Sequence, residues 1–295
     1  MRTLLFLQTN SIISKDIIEY ALALAQDLNV KIKFIHIHYP EILYSASLAT
    51  NMELFQSPSR HGELSMEEIQ QTEKLLEELK GEGKIDTEVH FEYFTGVPEV
   101  ILKSKLLKGE FDMIAIYNEF FTSGMNPYQP LKNIIKNMRC PIWVIPDASY
   151  KGISTVLYST DYQEQDVKSI KLLFQIIGSN IKKLTFLHLT ERVDFHQRII
   201  SIGFKTYLSN ELQSKIFSSL VINTNENKTI PEYFQKVIEK DKNTLIVALK
   251  ENKNIFQKVF YRSFTTKLLK GIEELVLILH SEGDFPTQEE EEDEF

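Results

Sequence analysis

A basic stretch in the second half of the chain contains the residue types that hold an anion. From Lys250 to Lys270 there are six lysine and arginine side chains and one acid, Glu251. Lysine and arginine bind phosphate or carboxylate groups by direct charge, so Arg262 and the adjoining Ser263 form a candidate anion site. The favoured alternative is the solvated face of an amphipathic helix, because apolar residues recur every four positions at Phe256, Phe260, Phe264 and Leu268.

Asp161 is a second candidate, because it follows a strand predicted to begin at Thr155. Open parallel sheets bind ligands at the carboxyl ends of their strands, where an aspartate can accept hydrogen bonds from a ligand. Aspartate is also common at the start of a helix, where it caps the first backbone amides. The sequence supports both interpretations of Asp161 equally.

His36 and His188 occupy equivalent positions of two predicted strands, one in each half of the chain. In the first strand His36 and His38 would lie on the same face, which is compatible with metal binding. In the other half of the chain His188 matches His36, but Thr190 stands where His38 would be. Because no carboxylate or cysteine accompanies them at ligand spacing, we favour packed core histidines over a metal or catalytic site.

Common catalytic motifs are absent from the sequence. It contains no Gly-x-Ser-x-Gly nucleophile turn, no His-Glu-x-x-His metal motif and no Gly-x-x-x-x-Gly-Lys phosphate loop. The single cysteine, Cys140, excludes an intrachain disulfide and a multi-cysteine zinc site. Its position beside Pro141, at the start of an apolar run, is typical of a buried structural cysteine. We therefore predict no catalytic residues and no metal.

An internal repeat determines how these candidates are positioned. Residues 3–6 and 31–37 match residues 155–158 and 183–189 at a constant offset of 152. A period near half the chain length predicts two domains of one fold. We place the first domain at 1–149, the second at 150–283 and an acidic, disordered tail at 284–295.

Each repeat alternates strands with helices. In the first repeat strands are predicted at 3–9, 31–38, 85–94, 111–117 and 142–145, with helices between them. This order predicts an α/β fold with two tandem, doubly wound, five-stranded parallel sheets flanked by helices. The second repeat is shorter: the offset falls from 152 to 133 after its middle, so about 19 residues of loop and helix are missing there.

Composition places the chain among globular proteins without a nucleic-acid or membrane role. Its 295 residues are 43% apolar and 25% charged, enough for two cores. Residues 289–294 supply six of the eight net negative charges, so the body is nearly balanced and lacks the basic footprint of a nucleic-acid-binding protein. No signal-like or membrane-spanning apolar run is present, which predicts a cytoplasmic protein.

The order of short motifs resembles the universal stress protein domain. The signals are the strand histidines, Gly-x-Pro at 96–98, Phe-Asp-Met-Ile-Ala-Ile at 111–116 and Arg-Cys-Pro-Ile-Trp-Val-Ile-Pro at 139–146. A further signal is Asp161, an acidic residue that follows the first strand of the second repeat. The resemblance spans residues 2–281 as a tandem pair. It implies an adenine nucleotide alpha hydrolase-like fold packed as a pseudo-dimer, in which the last strands, 142–145 and 276–279, meet edge to edge and cover each other.

Members of this family that bind ATP carry Gly-x-x-Gly, nine residues and then Gly-Ser or Gly-Thr after the fourth strand. Glycines there let the backbone approach the phosphates. The first repeat retains only Gly124 and has two prolines in 116–130, and the second has no glycine between Ile246 and Lys270. Ser263 matches the final hydroxyl of the motif, whereas Arg262 replaces the preceding glycine. Both loops are thus degenerate, which disfavours ATP or another adenine nucleotide as ligand.

The resemblance also implies where a ligand would lie in each repeat. In the second repeat these positions are Thr160, Asp161, Leu189, Asn252, Arg262 and Ser263. In the first repeat they are Thr9, Asn10, Gly96 and Gly124, although Thr9 replaces the acid and Gly96 is better explained by its turn. The two sites are therefore expected to differ.

Three functional hypotheses follow. The first is a non-catalytic stress-response protein of the universal stress protein type, which senses a ligand or binds a partner and can form a homodimer. The second is a nucleotide-binding protein or slow ATP hydrolase, which the missing glycines disfavour. The third is a binder of another anionic or apolar small molecule, with the long loop 39–63 as a lid that the second repeat lacks.

Overall fold

The computed structural model describes residues 1–9, 14–38, 61–82, 90–117, 129–178, 181–224, 228–238, 243–250, 268–269 and 272–280. The chain folds into two compact units. Unit 1 comprises Met1–Tyr117, Asn126–Met138 and Ala148–Tyr150, and unit 2 comprises Asn118–Met125, Arg139–Asp147 and Lys151–Phe295. In the ranges given above, no helix has both the length and the apolar character needed to cross a membrane.

Unit 1 alternates strands and helices in the order expected from the sequence. Its strands are β1 (Thr3–Thr9), β2 (Lys31–His38), β3 (His90–Thr95) and β4 (Met113–Tyr117). Its helices are α1 (Lys15–Asp27), α2 (His61–Gly81), α3 (Pro98–Leu107) and α4 (Gln129–Asn137). Helix α2 begins at His61, within the segment 39–63 that was expected to be a long loop, and residues 39–60 of that segment lie outside the described residues.

The strands of unit 1 form a parallel sheet in the order β3-β2-β1-β4. Continuous apolar runs such as β4 are buried along their whole length, as expected for a sheet covered on both faces. Helix α1 packs with its apolar stripe inward, since the residues at helical spacing are the buried ones: Ile17, Ile18, Ala21, Leu24 and Ala25. The tightly packed rings of Phe6 and Phe34, 5.2 Å apart, lie at its centre.

Unit 2 repeats this alternation with shorter connections. Its strands are β5 (Ile142–Ile145), β6 (Thr155–Ser159), β7 (Lys183–Thr190), β8 (Phe217–Asn223), β9 (Thr244–Lys250) and β10 (Leu275–His280). Its helices are α5 (Glu164–Ile177), α6 (Phe195–Glu211) and α7 (Ile230–Gln235).

The strands of unit 2 lie in the order β5-β10-β9-β6-β7-β8. All neighbouring pairs are parallel except β10 and β5, where Leu277 stands opposite Trp143 in an antiparallel register. The predicted α/β class, with mostly parallel sheets flanked by helices, is confirmed. Strand β5, the last strand of the first sequence repeat, is part of this second unit.

Candidate functional site

The carboxyl end of β6 carries the two polar residues that the sequence indicated as ligand positions. Strand β6 ends at Ser159, and Thr160 and Asp161 follow directly. Thr160 is 4% exposed, and its backbone amide donates to the Leu187 carbonyl at 3.0 Å. The side chain of Asp161 keeps 33% of its surface exposed. The buried threonine thus fixes the backbone from which the aspartate reaches solvent.

His188, near the end of the neighbouring strand β7, faces these two residues. Its Nδ1 atom lies 2.8 Å from the Thr160 carbonyl oxygen and 3.6 Å from Asp161 Oδ1. A carbonyl oxygen only accepts hydrogen bonds, so Nδ1 carries the hydrogen of the ring. The His188 side chain, 11% exposed, therefore holds the backbone at Thr160 and lies beside the Asp161 carboxylate.

Tyr162 covers the other side of His188. It has a φ angle of +59°, in the left-handed region that few residues other than glycine adopt. Its backbone amide donates to Thr160 Oγ1 at 2.8 Å, which stabilises this turn, and its ring centroid lies 4.9 Å from that of His188. Burial raises the pKa of the Tyr162 hydroxyl, so the ring remains neutral.

A buried carboxylate, Asp166, connects the end of β6 with the start of α5. It is 2% exposed and accepts hydrogen bonds from Thr160 Oγ1 at 2.7 Å, the Gln163 amide at 2.9 Å and the Tyr158 hydroxyl at 3.1 Å. The Gln163 residue is the N-cap of α5. Asp166 therefore supplies the capping carboxylate at this helix start, the role that the sequence allowed for Asp161.

The buried position of Asp166 makes the stability of the protein pH-dependent. Burial raises the pKa of the Asp166 carboxyl above its ordinary value of 3.8, and the nearby Asp161 charge acts in the same direction, although the three hydrogen bonds oppose the shift. Between 3.8 and the raised pKa the folded chain binds this proton more tightly than the unfolded chain does. The contribution of Asp166 to stability therefore falls as the pH rises through that window.

We expect Asp166→Asn, which cannot ionise, to remove this pH dependence. The difference in free energy of unfolding, wild type minus variant, should decrease as the pH is raised from about 4 to about 7. Urea unfolding at a series of pH values measures it. A difference that stays constant over this range would show that Asp166 titrates alike in the folded and unfolded chains.

The structure describes three of the six ligand positions expected in the second repeat. Thr160 and Asp161 lie together as described, and half-buried Leu189 directly follows His188 on β7. The positions Asn252, Arg262 and Ser263 lie outside the described residues, as does most of the basic stretch. Strand β9, which leads towards them, ends at Lys250.

In unit 1 the corresponding positions are differently occupied. Thr9 is the last residue of β1, and the preceding Gln8, only 1% exposed, accepts a hydrogen bond from Thr72 at 3.2 Å. Gly96 has a φ angle of +146°, and a Cβ atom there would lie 3.5 Å from Ile101 Cδ1, which fits the turn role expected for it. Asn10 and Gly124 lie outside the described residues.

The histidines expected to be core residues are both buried. His36 is fully buried and stacks on Tyr93, with ring centroids 5.5 Å apart. His188 is 9% exposed but has a carboxylate neighbour, Asp161, that strand spacing alone did not reveal. Within the described ranges no group of three histidine, cysteine, aspartate or glutamate side chains is arranged to hold a metal ion. Cys140 is buried, as expected.

Sequence reasoning missed Asp166, Tyr158 and Tyr162. The available signal was an acid at the third position of α5, after a possible cap residue, which is the pattern of a capping box. The contacts of the two tyrosines depend on the turn after β6 and had no comparable signal.

Comparison with known proteins identifies the class of fold. Neither a protein-family model nor a curated protein matches the sequence. Among solved structures the chain is similar to a universal stress protein from Archaeoglobus fulgidus DSM 4304, with a TM-score of 0.60, 11% identity, and coverage of 94% of this chain and 96% of that one. A putative universal stress protein from Pseudomonas aeruginosa UCBPP-PA14 gives a TM-score of 0.58, 13% identity, and coverage of 95% and 93%.

A third similar structure is the cytoplasmic domain of a prokaryotic cation chloride cotransporter. Its TM-score is 0.53 at 11% identity, with 96% of this chain and 97% of that chain covered. The α/β units described above thus have the fold of universal stress proteins. Because the same fold occurs in the domain of a transporter, the fold alone does not assign a function.

Proposed function

We propose that this chain is a universal stress protein-type protein of two tandem repeats, which acts without catalysis by binding a small ligand or a partner. The observation that carries this proposal is the partly exposed Asp161 carboxylate beside His188, at the carboxyl edge of a parallel sheet. Ligands of open α/β sheets bind at that edge. A carboxylate there accepts hydrogen bonds from the N–H or O–H groups of a ligand.

The contacts of the site favour binding over catalysis. His188 Nδ1 is engaged by the Thr160 carbonyl, and the Asp166 carboxylate already accepts three hydrogen bonds. The Thr160 hydroxyl donates to the Asp166 carboxylate, but Thr160 is only 4% exposed, so this pair is not open to a substrate in the way that nucleophilic catalysis requires. Tyr162 instead offers an aromatic surface beside the carboxylate.

The two repeats have kept the scaffold and changed the ligand-binding loops. Strands β3-β2-β1-β4 and β8-β7-β6-β9 run in the same order, which supports a duplicated unit. The antiparallel pairing of β5 with β10 supports association of the repeats as a pseudo-dimer through their last strands. The sequence of both phosphate loops lacks the family's glycines, so we propose that ATP is not bound in the family's manner. We also propose a cytoplasmic location.

Ligand extraction and calorimetry test this function. The full chain is purified and extracted with acid, and any released compound is identified by mass spectrometry. We expect no calorimetric binding of Mg²⁺–ATP in the micromolar range, because the glycine-loop amides that would hold the phosphates are missing. Micromolar affinity for ATP would contradict the degenerate loops, and a co-purifying molecule other than a nucleotide would support them.

A matched pair of variants tests the site itself. Asp161→Asn should lower the amount of co-purifying ligand per mole of protein about tenfold or more, since a hydrogen bond to a charged group is lost. Asp147→Asn makes the same change at an exposed position of unit 2 and should have no effect. Equal ligand content in both variants would exclude Asp161 from the site. Arg262→Ala tests the anion site in the same way.

A further inference from the structure

The outer face of α6 exposes an apolar stripe that the fold of unit 2 does not use. Phe195, Ile199 and Ile202 are 79%, 50% and 55% exposed and recur at helical spacing. The inward face of the helix is formed by Ser201 and Leu208, which are buried. Together the three exposed side chains present roughly 300 Å² of apolar surface, comparable with the largest patch on a typical monomer.

The stripe points away from the neighbouring helix. Glu211 of α6 forms an ion pair of 2.6 Å with Lys171 of α5, so this side of α6 faces α5. Ile202 lies nine residues before Glu211, which is two and a half helical turns and places it on the opposite side. Both helices cover the same face of the sheet. Phe174 of α5 contacts Phe217 of β8, Phe204 of α6 contacts Phe186 of β7, and these two strand rings stack on each other. The stripe therefore faces outward beyond β8.

Strand β8 is the last strand of the sheet on that side. It pairs with β7, and in the described part of the chain no strand pairs with its other edge. Its seven residues, Phe-Ser-Ser-Leu-Val-Ile-Asn, contain no charge and no proline. Charges and prolines are the usual protection of an exposed strand edge against pairing with another chain. Leu220, in the middle of β8, is 37% exposed.

We propose that β8 and α6 form the interface of a homodimer, in which two copies of this chain associate about a two-fold axis. Such an axis pairs β8 antiparallel with its copy and places α6 beside its copy on the same face. The occupant is a second copy because one operation covers both the strand edge and the stripe. This interface is separate from the proposed ligand site and does not depend on it.

The spacing of the two layers supports this arrangement. Adjacent strands lie about 4.8 Å apart, so a helix above β7 and β8 is centred about 5 Å from the two-fold axis. Its copy lies equally far on the other side, which separates the helix axes by about 10 Å, close to the usual distance between packed helices.

Charge and area are consistent with a second copy. Arg192 and Arg198 are exposed near the start of α6, and the negative end of the helix dipole lies at its end. An antiparallel helix pair places each basic start of α6 beside the negative dipole end of its copy. A stable interface buries about 800 Å² on each partner, more than the stripe alone, so the strand edge is needed as well.

Analytical ultracentrifugation of the full chain tests the dimer. Wild type should sediment at twice the monomer mass of 34.3 kDa at micromolar concentration. Ile202→Lys and Ile202→Glu should each weaken the dimer about a hundredfold or more, because like charges then face each other across the interface. A mixture of these two variants should form dimers again, since opposite charges now meet.

Controls separate this result from misfolding. Val100→Lys makes the same kind of change at a position of α3 that is 64% exposed, and it should leave the dimer unchanged. Circular dichroism verifies that each variant is folded. If an Ile202 variant does not fold, Leu220→Lys tests the interface from its position on strand β8. A wild type that remains at 34.3 kDa, or variants that dimerise like wild type, would overturn the proposal.

Discussion

Phe186→Ala should lower the free energy of unfolding of unit 2 by about 4 kcal/mol, the upper part of the range for a buried phenylalanine. Phe186 lies on β7 and is fully buried. Its ring contacts three other rings, with centroid distances of 5.2 Å, 5.5 Å and 6.3 Å, which belong to Phe204, Phe217 and Tyr158. The truncation therefore creates a cavity and also removes aromatic contacts from β6, β8 and α6.

Phe34→Ala is the matched comparison, because Phe34 occupies the equivalent position of the first repeat and is 2% exposed. It makes a ring contact with Phe6 at 5.2 Å, whereas Phe186 joins elements on three sides. Urea unfolding measures the loss in free energy of unfolding for each variant, and hydrogen exchange shows which of the two units is destabilised. A smaller loss for Phe186→Ala than for Phe34→Ala would contradict a stabilising role of the ring cluster.

The sheets were predictable because their strands have simple apolar patterns. Strand β2 was expected at 31–38 and β5 at 142–145, and both have those bounds. Strand β5 is a continuous apolar run, as buried parallel strands often are, and β2 places apolar residues between lysines and histidines. Both patterns can be recognised from the residues of the strand itself. The match between the two repeats then shows that both have the same order of strands and helices, and this needs no knowledge of contacts between distant residues.

The site was only partly predictable because its contacts join distant parts of unit 2. Asp161 and Thr160 could be located from the end of β6, and a carboxylate at a strand end is a local signal. The proximity of His188 to Asp161 depends on the pairing of β6 with β7. The burial of Asp166 depends on how α5 packs against the sheet, and an acid in the first turn of a helix is otherwise typical of an exposed position.

The repeats differ at the positions that build this network. Tyr158, Thr160 and Asp166 of the second repeat correspond, at the offset of 152, to Phe6, Gln8 and Ser14 of the first. A phenylalanine has no hydroxyl to donate, and Gln8 accepts instead from Thr72 of α2. The polar connection between the first strand and the first helix is thus a property of unit 2, within the part of each repeat that the structure describes.

Asp166→Ala should consequently destabilise unit 2 by about 3 kcal/mol at neutral pH. The substitution removes the acceptor of the Thr160 and Tyr158 hydroxyls and of the Gln163 amide, and a buried donor left without a partner costs about 1–3 kcal/mol. The loss of the helix cap is included in this value. The cost of burying the carboxylate, which raises its pKa, offsets part of the loss and keeps it well below the sum of the three bonds.

Ser14→Ala is the control, since Ser14 matches Asp166 at the offset of 152 and is the N-cap residue of α1. Its side chain is exposed and makes no capping hydrogen bond, so its removal should change the free energy of unfolding by less than about 0.5 kcal/mol. Thermal and urea unfolding of the two variants under identical conditions measure the contrast. If Asp166→Ala is as mild as Ser14→Ala, the buried carboxylate does not hold β6 to α5. The turn that presents Asp161 must then be stabilised by the other contacts of Thr160, with His188 and with the Tyr162 amide.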